Sequence, residues 1–191
     1  MSLKIQFVGD VQVGKSALLS VYIDSKFLVE YCPTMYDNYS MEMEYGDYEL
    51  EIQFWDLGGS VEEDDKPLGF PGTDCFVICY SIVDPQSFEH VKYWAELIQT
   101  SHILKKSEVP VPIILLGLKN DLRYDSQCIE LMKSQFKCGP ISVKNAKAMA
   151  CQINAVASLL CSAMTQENVR EVFDEAIENA LTYSQQNKRR K

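Results

Sequence analysis

The stretch Gly9-Asp10-Val11-Gln12-Val13-Gly14-Lys15-Ser16 decides how the rest of the chain is read. It sets a glycine, four residues, a second glycine, a lysine and a serine in the order of a phosphate-binding loop. Each residue type has a task there. Glycines let backbone N–H groups approach phosphate oxygens, the Lys15 ammonium reaches the terminal phosphates, and the Ser16 hydroxyl holds Mg²⁺ at a helix N-terminus. The nucleotide contacts of this cradle fall on Val11, Gln12, Val13, Gly14, Lys15, Ser16 and Ala17. Its flanks agree: Leu3 to Val8 is apolar enough for a buried strand, and Ala17 to Tyr22 suits a helix.

Outward from this loop, 191 residues with 47% apolar and 24% charged side chains suit one domain with a sizeable core. The formal charge of -9 argues against nucleic acid as a partner, because phosphate would be repelled over most of the surface. Acidic groups gather at residues 42 to 51 and 62 to 65, whereas the chain ends Lys188-Arg189-Arg190-Lys191. Seven cysteines, odd in number and without metal-ligand spacing, read as reduced and mostly buried thiols of a cytoplasmic protein. No apolar run approaches a membrane span, and no signal-peptide pattern opens the chain.

Strand and helix patterns alternate along the chain. Lys26 to Asp37, with Pro33 and little periodicity, predicts a loop. Tyr39 to Tyr45 and Tyr48 to Phe54 alternate apolar with polar residues around Gly46-Asp47, which predicts a hairpin with one wet face at a sheet edge. Cys75 to Tyr80, Val111 to Leu116 and Ser158 to Cys161 read as buried strands, and Pro85 to Gln99 and Asn145 to Gln152 as helices. Val169, Val172, Phe173, Ala176, Ile177, Ala180 and Leu181 form one helical stripe. The expected fold is α/β: a doubly wound, mostly parallel six-stranded sheet with one antiparallel edge strand, occupying residues 1–183 and followed by a basic tail at 184–191.

Ligands of such sheets sit at the carboxyl ends of the strands. There the sequence offers Asp56-Leu57-Gly58-Gly59, with a carboxylate to hold Mg²⁺ through water and the Gly59 N–H for a terminal phosphate. It then offers Leu118-Lys119-Asn120-Asp121-Leu122. Asp121 can accept both N1–H and the exocyclic amine of guanine, a pair adenine lacks, while the Lys119 stem lies along the base. Last comes Ser162-Ala163-Met164, whose backbone N–H can meet the guanine oxygen. Together the four loops predict a binder of GTP and GDP with Mg²⁺.

With these motifs in order, the chain resembles a small GTPase of the Ras superfamily, and more narrowly the Rho family. The narrower marks are Tyr31-Cys32-Pro33-Thr34-Met35-Tyr36-Asp37-Asn38-Tyr39-Ser40, similar to Rho switch I; Trp55-Asp56 before switch II; Phe88 and Trp94; and the segment 124–140 after Asp121, similar to the Rho insert helix. The resemblance implies a small G domain of the P-loop type, with Thr34 as a switch hydroxyl on Mg²⁺ beside Ser16 and Asp56. Phe27 then stacks on guanine and Tyr31 closes over the phosphates, while Thr34, Met35, Tyr36, Asp37, Asn38, Tyr39 and Ser40 form the effector surface. It also implies a monomeric signalling switch acting on cytoskeleton-type pathways.

Three departures alter that expectation. Val11 stands where the family carries a glycine, and its branched side chain projects toward the γ-phosphate. Ser60 stands where the family carries the glutamine that orients the attacking water, so of the catalytic set Lys15, Thr34 and Ser60 the last is ineffective. Leu118 replaces the polar residue that braces the base loop against the phosphate loop. Weak hydrolysis is the consequence of the first two, and lower nucleotide affinity, without loss of guanine preference, that of the third. A normally regulated hydrolase whose rate a partner restores, and an ATPase or phosphotransferase sharing only the loop, remain as alternatives. The acidic run 61–65 in switch II argues against the exchange factors, activators and dissociation inhibitors of typical relatives. No prenylatable cysteine follows Lys191, so either the chain was shortened before a lipid site or it has none. The four cations alone give weak, salt-sensitive attachment to an inner membrane surface, and a disordered solubilising tail is the other reading.

Overall fold

The computed structural model describes residues 1–27, 36–46, 48–57, 70–103 and 109–188. Tyr31, Thr34, Met35, Gly59, Ser60, the acidic run 61–65 and the final arginines fall outside them. The elements run β1 Ser2–Val8, α1 Lys15–Asp24, β2 Tyr36–Tyr45, β3 Tyr48–Leu57, β4 Cys75–Ser81, α2 Pro85–Glu89 and α3 Val91–Ile103. Then follow β5 Ile113–Leu118, a 3₁₀ turn Asn120–Tyr124, α4 Ser126–Phe136, α5 Val143–Gln152, β6 Ala157–Leu160 and α6 Val169–Lys188. The sheet order is β2-β3-β1-β4-β5-β6, with β2 antiparallel to β3 and every other pair parallel.

Strand β1 shows why two layers of helices form. Leu3, Ile5 and Phe7 alternate onto one face, where they meet Leu18 and Leu19 of α1 and Val172, Phe173 and Ile177 of α6. Phe173 lies 5.5 Å from Phe7 and 5.2 Å from Phe54 between ring centroids, and stacks on Tyr22 at 3.6 Å. Val8, with Phe76, Ile78 and Tyr80 of β4, turns to the other face against Trp94 and Ile98 of α3 and Met149 and Ala150 of α5. Each such side chain contributes about 1.5–3 kcal/mol on burial, so packing rather than intrinsic propensity holds α6.

Several boundaries differ from the sequence reading. Residues 36 and 37 belong to β2 rather than to a loop, because they pair with Leu57 and Asp56. Strand β5 is shifted toward its carboxyl end: Phe76 N–H donates to the Pro112 carbonyl, and the ladder then runs on to Leu118 opposite Ser81. Strand β6 is half-buried rather than buried, since it forms the far edge of the sheet. Helix-forming sequence from Pro85 onward divides at His90 into α2 and α3. Helix α6 continues to Lys188, past the boundary drawn at residue 183, with Ser184 still buried. Among the described cysteines, Cys75, Cys79 and Cys161 are buried, but Cys128 and Cys138 are half-buried and Cys151 is exposed.

Candidate nucleotide site

The loop from Gly9 to Gly14 joins β1 to α1, and its backbone could not carry other residues at its ends. Gly9 has φ 141°, and a Cβ there would stand 2.2 Å from the Cys79 carbonyl oxygen. Gly14, at φ 114°, caps α1 and accepts from the Leu18 N–H at 3.1 Å. No acidic residue occupies the first turn of α1, so the positive end of its dipole faces the loop without a carboxylate of its own. Gln12 adopts φ 63°, an uncommon conformation for a residue with a side chain. Its carbonyl is held by Lys119 Nζ at 2.8 Å, which ties the base loop to the phosphate loop. Val13 is in the core, so only its backbone faces the ligand side, whereas Val11 is 45% exposed on the crest.

Lys15 is buried, with Nζ donating to the carbonyls of Gly9 at 2.7 Å and Asp10 at 2.8 Å. Burial lowers its pKa, and the charges of Asp56, Cys79 and Asp10 oppose that shift. Asp56 lies in the same buried cluster. Its Oδ2 accepts from the Ser16 hydroxyl at 2.5 Å, while Oδ1 is buried without a partner. Burial raises the Asp56 pKa, partly offset by Lys15 and by the Ser16 hydrogen bond. An orphaned carboxylate oxygen beside a hydroxyl is a hard, oxygen-only donor set that fits Mg²⁺ through water. Asp56→Asn removes the anionic oxygen donor and is expected to weaken Mg²⁺-dependent nucleotide retention. A nucleotide-release assay in EDTA and in Mg²⁺ checks this.

On the base side, Lys119 takes φ 62° after β5 and turns the chain into Asn120–Tyr124. Asp121 accepts from the Ser162 hydroxyl at 2.5 Å, and Ser162 itself is fully buried after β6. Leu122 is half-buried, Ala163 is 8% exposed and Met164 is 67% exposed. Phe27 is 43% exposed just beyond α1 and is not a core aromatic. Leu118 packs against Gly14, its Cδ1 lying 3.7 Å from where a Gly14 Cβ would stand, so an apolar contact occupies the place expected for a polar brace.

Two groups of contacts escaped the sequence reading. Asp10, inside the loop, is held at both oxygens: Oδ2 faces His90 Nδ1 at 2.5 Å and Oδ1 accepts from Trp94 Nε1 at 2.8 Å. The break between α2 and α3 is thus where His90 turns its ring to the phosphate loop. The second group joins Arg123, Asn120 and Glu167. Only the Trp94 mark hinted at the first, and no local signal announces the second.

Fold and loop together define a P-loop nucleotide-binding domain of the small G type. A family model described as Ras family matches residues 4–182, and the chain belongs to the Ras family. Members of that family are GTP-binding signalling switches with GTPase activity by class; they bind GTP and GDP with Mg²⁺ and engage effectors, exchange factors and activating proteins.

Proposed function

We propose that this chain is a Rho-type guanine-nucleotide switch that holds GTP because it hydrolyses it slowly. The observation that carries the reading is the 2.8 Å bond from Lys119 to the Gln12 carbonyl. It brings the loop of Asp121 against the loop of Lys15, so a base acceptor and a phosphate cradle share one rim. Asp121, oriented by Ser162, meets N1–H and the exocyclic amine of guanine, and an adenine in its place would leave that acceptor unmatched. Ser16, Asp56 and Thr34 would hold Mg²⁺, which when bound neutralises charge on the phosphates.

Helix α4, capped by Asp125 at the Cys128 N–H, falls within the segment 124–140 read as similar to a Rho insert helix, and this supports the narrower assignment. Strand β2 carries Asp37, Asn38, Tyr39 and Ser40 along an open sheet edge, which suits effector docking there together with Thr34 and Met35. Slow hydrolysis rests on Val11 at the loop crest and Ser60 in place of glutamine. The acidic run 61–65 selects against regulators built for a neutral switch II, and the basic tail favours the anionic cytoplasmic face of a membrane. The nucleotide that co-purifies with the protein tests the reading. Denaturation and chromatography of the supernatant should yield GTP in excess of GDP; ATP would overturn the guanine assignment, and GDP alone the slow hydrolysis.

A further inference from the structure

Leu118 makes only van der Waals contact with Gly14, so toward the phosphate loop the turn at Lys119, at φ 62°, is held by the bond from its Nζ to the Gln12 carbonyl. One residue further on, a different set of bonds takes hold. Asn120 Nδ2 donates to both carboxylate oxygens of Glu167 at 3.1 Å, and Asn120 Oδ1 accepts from Arg123 Nε at 2.9 Å. Arg123 Nη1 in turn donates to the Ile141 carbonyl at 3.0 Å, behind the segment that follows α4. The Asn120 amide therefore lies between a guanidinium and a carboxylate, with donor and acceptor sides both used by charged partners, and such bonds are stronger than neutral ones. The backbone reinforces the same junction: Asn120 N–H donates to the Cys161 carbonyl at 3.1 Å, and Ser162 N–H to the Glu167 carbonyl at 3.1 Å.

We infer that Arg123, Asn120 and Glu167 are positioning residues that set the tilt of Asp121 toward the base and thereby sharpen guanine recognition. The inference rests on the reading of Asp121 as the guanine acceptor. A carboxylate can take N1–H and the exocyclic amine together only if its plane lies in the plane of the base. Asp121 follows Asn120 directly, so rotation of the Asn120 turn rotates the carboxylate. The Ser162 hydroxyl fixes one Asp121 oxygen, and the Asn120 relay fixes the backbone that carries it. Through Ile141 the same relay gives the insert segment a mechanical connection to the base loop, separate from the one that Lys119 makes to the phosphate loop.

Release of GDP and of IDP, whose base lacks the exocyclic amine, tests this on the full chain by fluorescent-nucleotide chase. Unsubstituted protein should release IDP faster than GDP; equal release overturns the Asp121 reading itself. Given that difference, Glu167→Ala should speed GDP release by roughly threefold to tenfold and IDP release by less, narrowing the ratio. Asn120→Ala should act alike, and the double variant should do no more than the stronger single one, because the residues act as one unit. Glu167→Gln, which keeps an acceptor for the amide, should recover part of the GDP–IDP difference. Glu167 is exposed, so its variants fold, and a thermal melt confirms it. Equal acceleration of both nucleotides, or an unchanged ratio in Glu167→Ala and Asn120→Ala, would overturn the relay while leaving Asp121 as the guanine acceptor.

Discussion

Replacing Val11 by Gly and Ser60 by Gln in one protein is expected to raise single-turnover GTP cleavage by about 10²- to 10³-fold in the presence of an activating protein of the Rho type. The two substitutions address separate losses. In the proposed switch an isopropyl group at the crest of the loop would occupy space that the attacking water and an inserted arginine need; Val11 stands 45% exposed there rather than folded into the core as Val13 is. A serine hydroxyl lies on a stem too short to orient that water, whereas a glutamine amide can both donate to the γ-phosphate and accept from the water. Glutamine and arginine finger together account for ~10³ to 10⁵ in rate where both act, so either single change should recover much less than the pair. Phosphate release under single-turnover conditions checks this. An unaltered rate in the double variant would mean that another group sets the barrier.

Lys15→Ala should have the largest effect on binding. Its Nζ sits buried between two loop carbonyls with Asp56 nearby, so it supplies a cation that meets the terminal phosphates with little solvent screening. Removing it leaves the phosphates without that partner and Asp56 without its balancing charge, a loss of about 3–4 kcal/mol, or roughly 10²- to 10³-fold in Kd. Lys15→Arg should not rescue binding, since a planar guanidinium cannot enter the gap that an ammonium fills between Gly9 and Asp10. Nucleotide titration by fluorescence reads both. Retention of GTP by Lys15→Ala within threefold of the parent would remove the lysine from the site.

Much of this molecule was legible because its signals are local. The glycine-lysine-serine spacing fixed the first strand, turn and helix, and the two-residue alternation of Met41, Met43, Leu50 and Ile52 gave the edge hairpin. The limits of β5 differ from the sequence reading because prolines at its entry and Gly117 near its end weaken the periodic signal that marks a strand's bounds. The division at His90 carries no local signal, since apolar residues continue at helical spacing on both sides, and the contact made there is with a carboxylate 80 residues away. The same holds for Asn120 and Glu167, which are 47 positions apart and meet only after β5 and β6 have paired. Polar residues in loops carry no period, so the side chains that position the ligand groups were harder to read than those that build the sheet.

In the proposed switch, binding and hydrolysis fall to different residues: Gly14, Lys15, Ser16, Lys119 and Asp121 would hold the nucleotide, whereas Val11 and Ser60 would govern whether it is cleaved. Separating the two is what makes a long-lived GTP state attainable without loss of the guanine site, and in a switch the lifetime of that state sets how long an effector stays engaged at β2.

Single-turnover cleavage of bound GTP by the unsubstituted chain, measured beside a Rho-type protein that carries the glycine and the glutamine, tests this account most directly. The predicted result is retention of GTP with cleavage at least about tenfold slower than the comparison protein and little stimulation by an activating protein. Cleavage as fast as the comparison protein would contradict it.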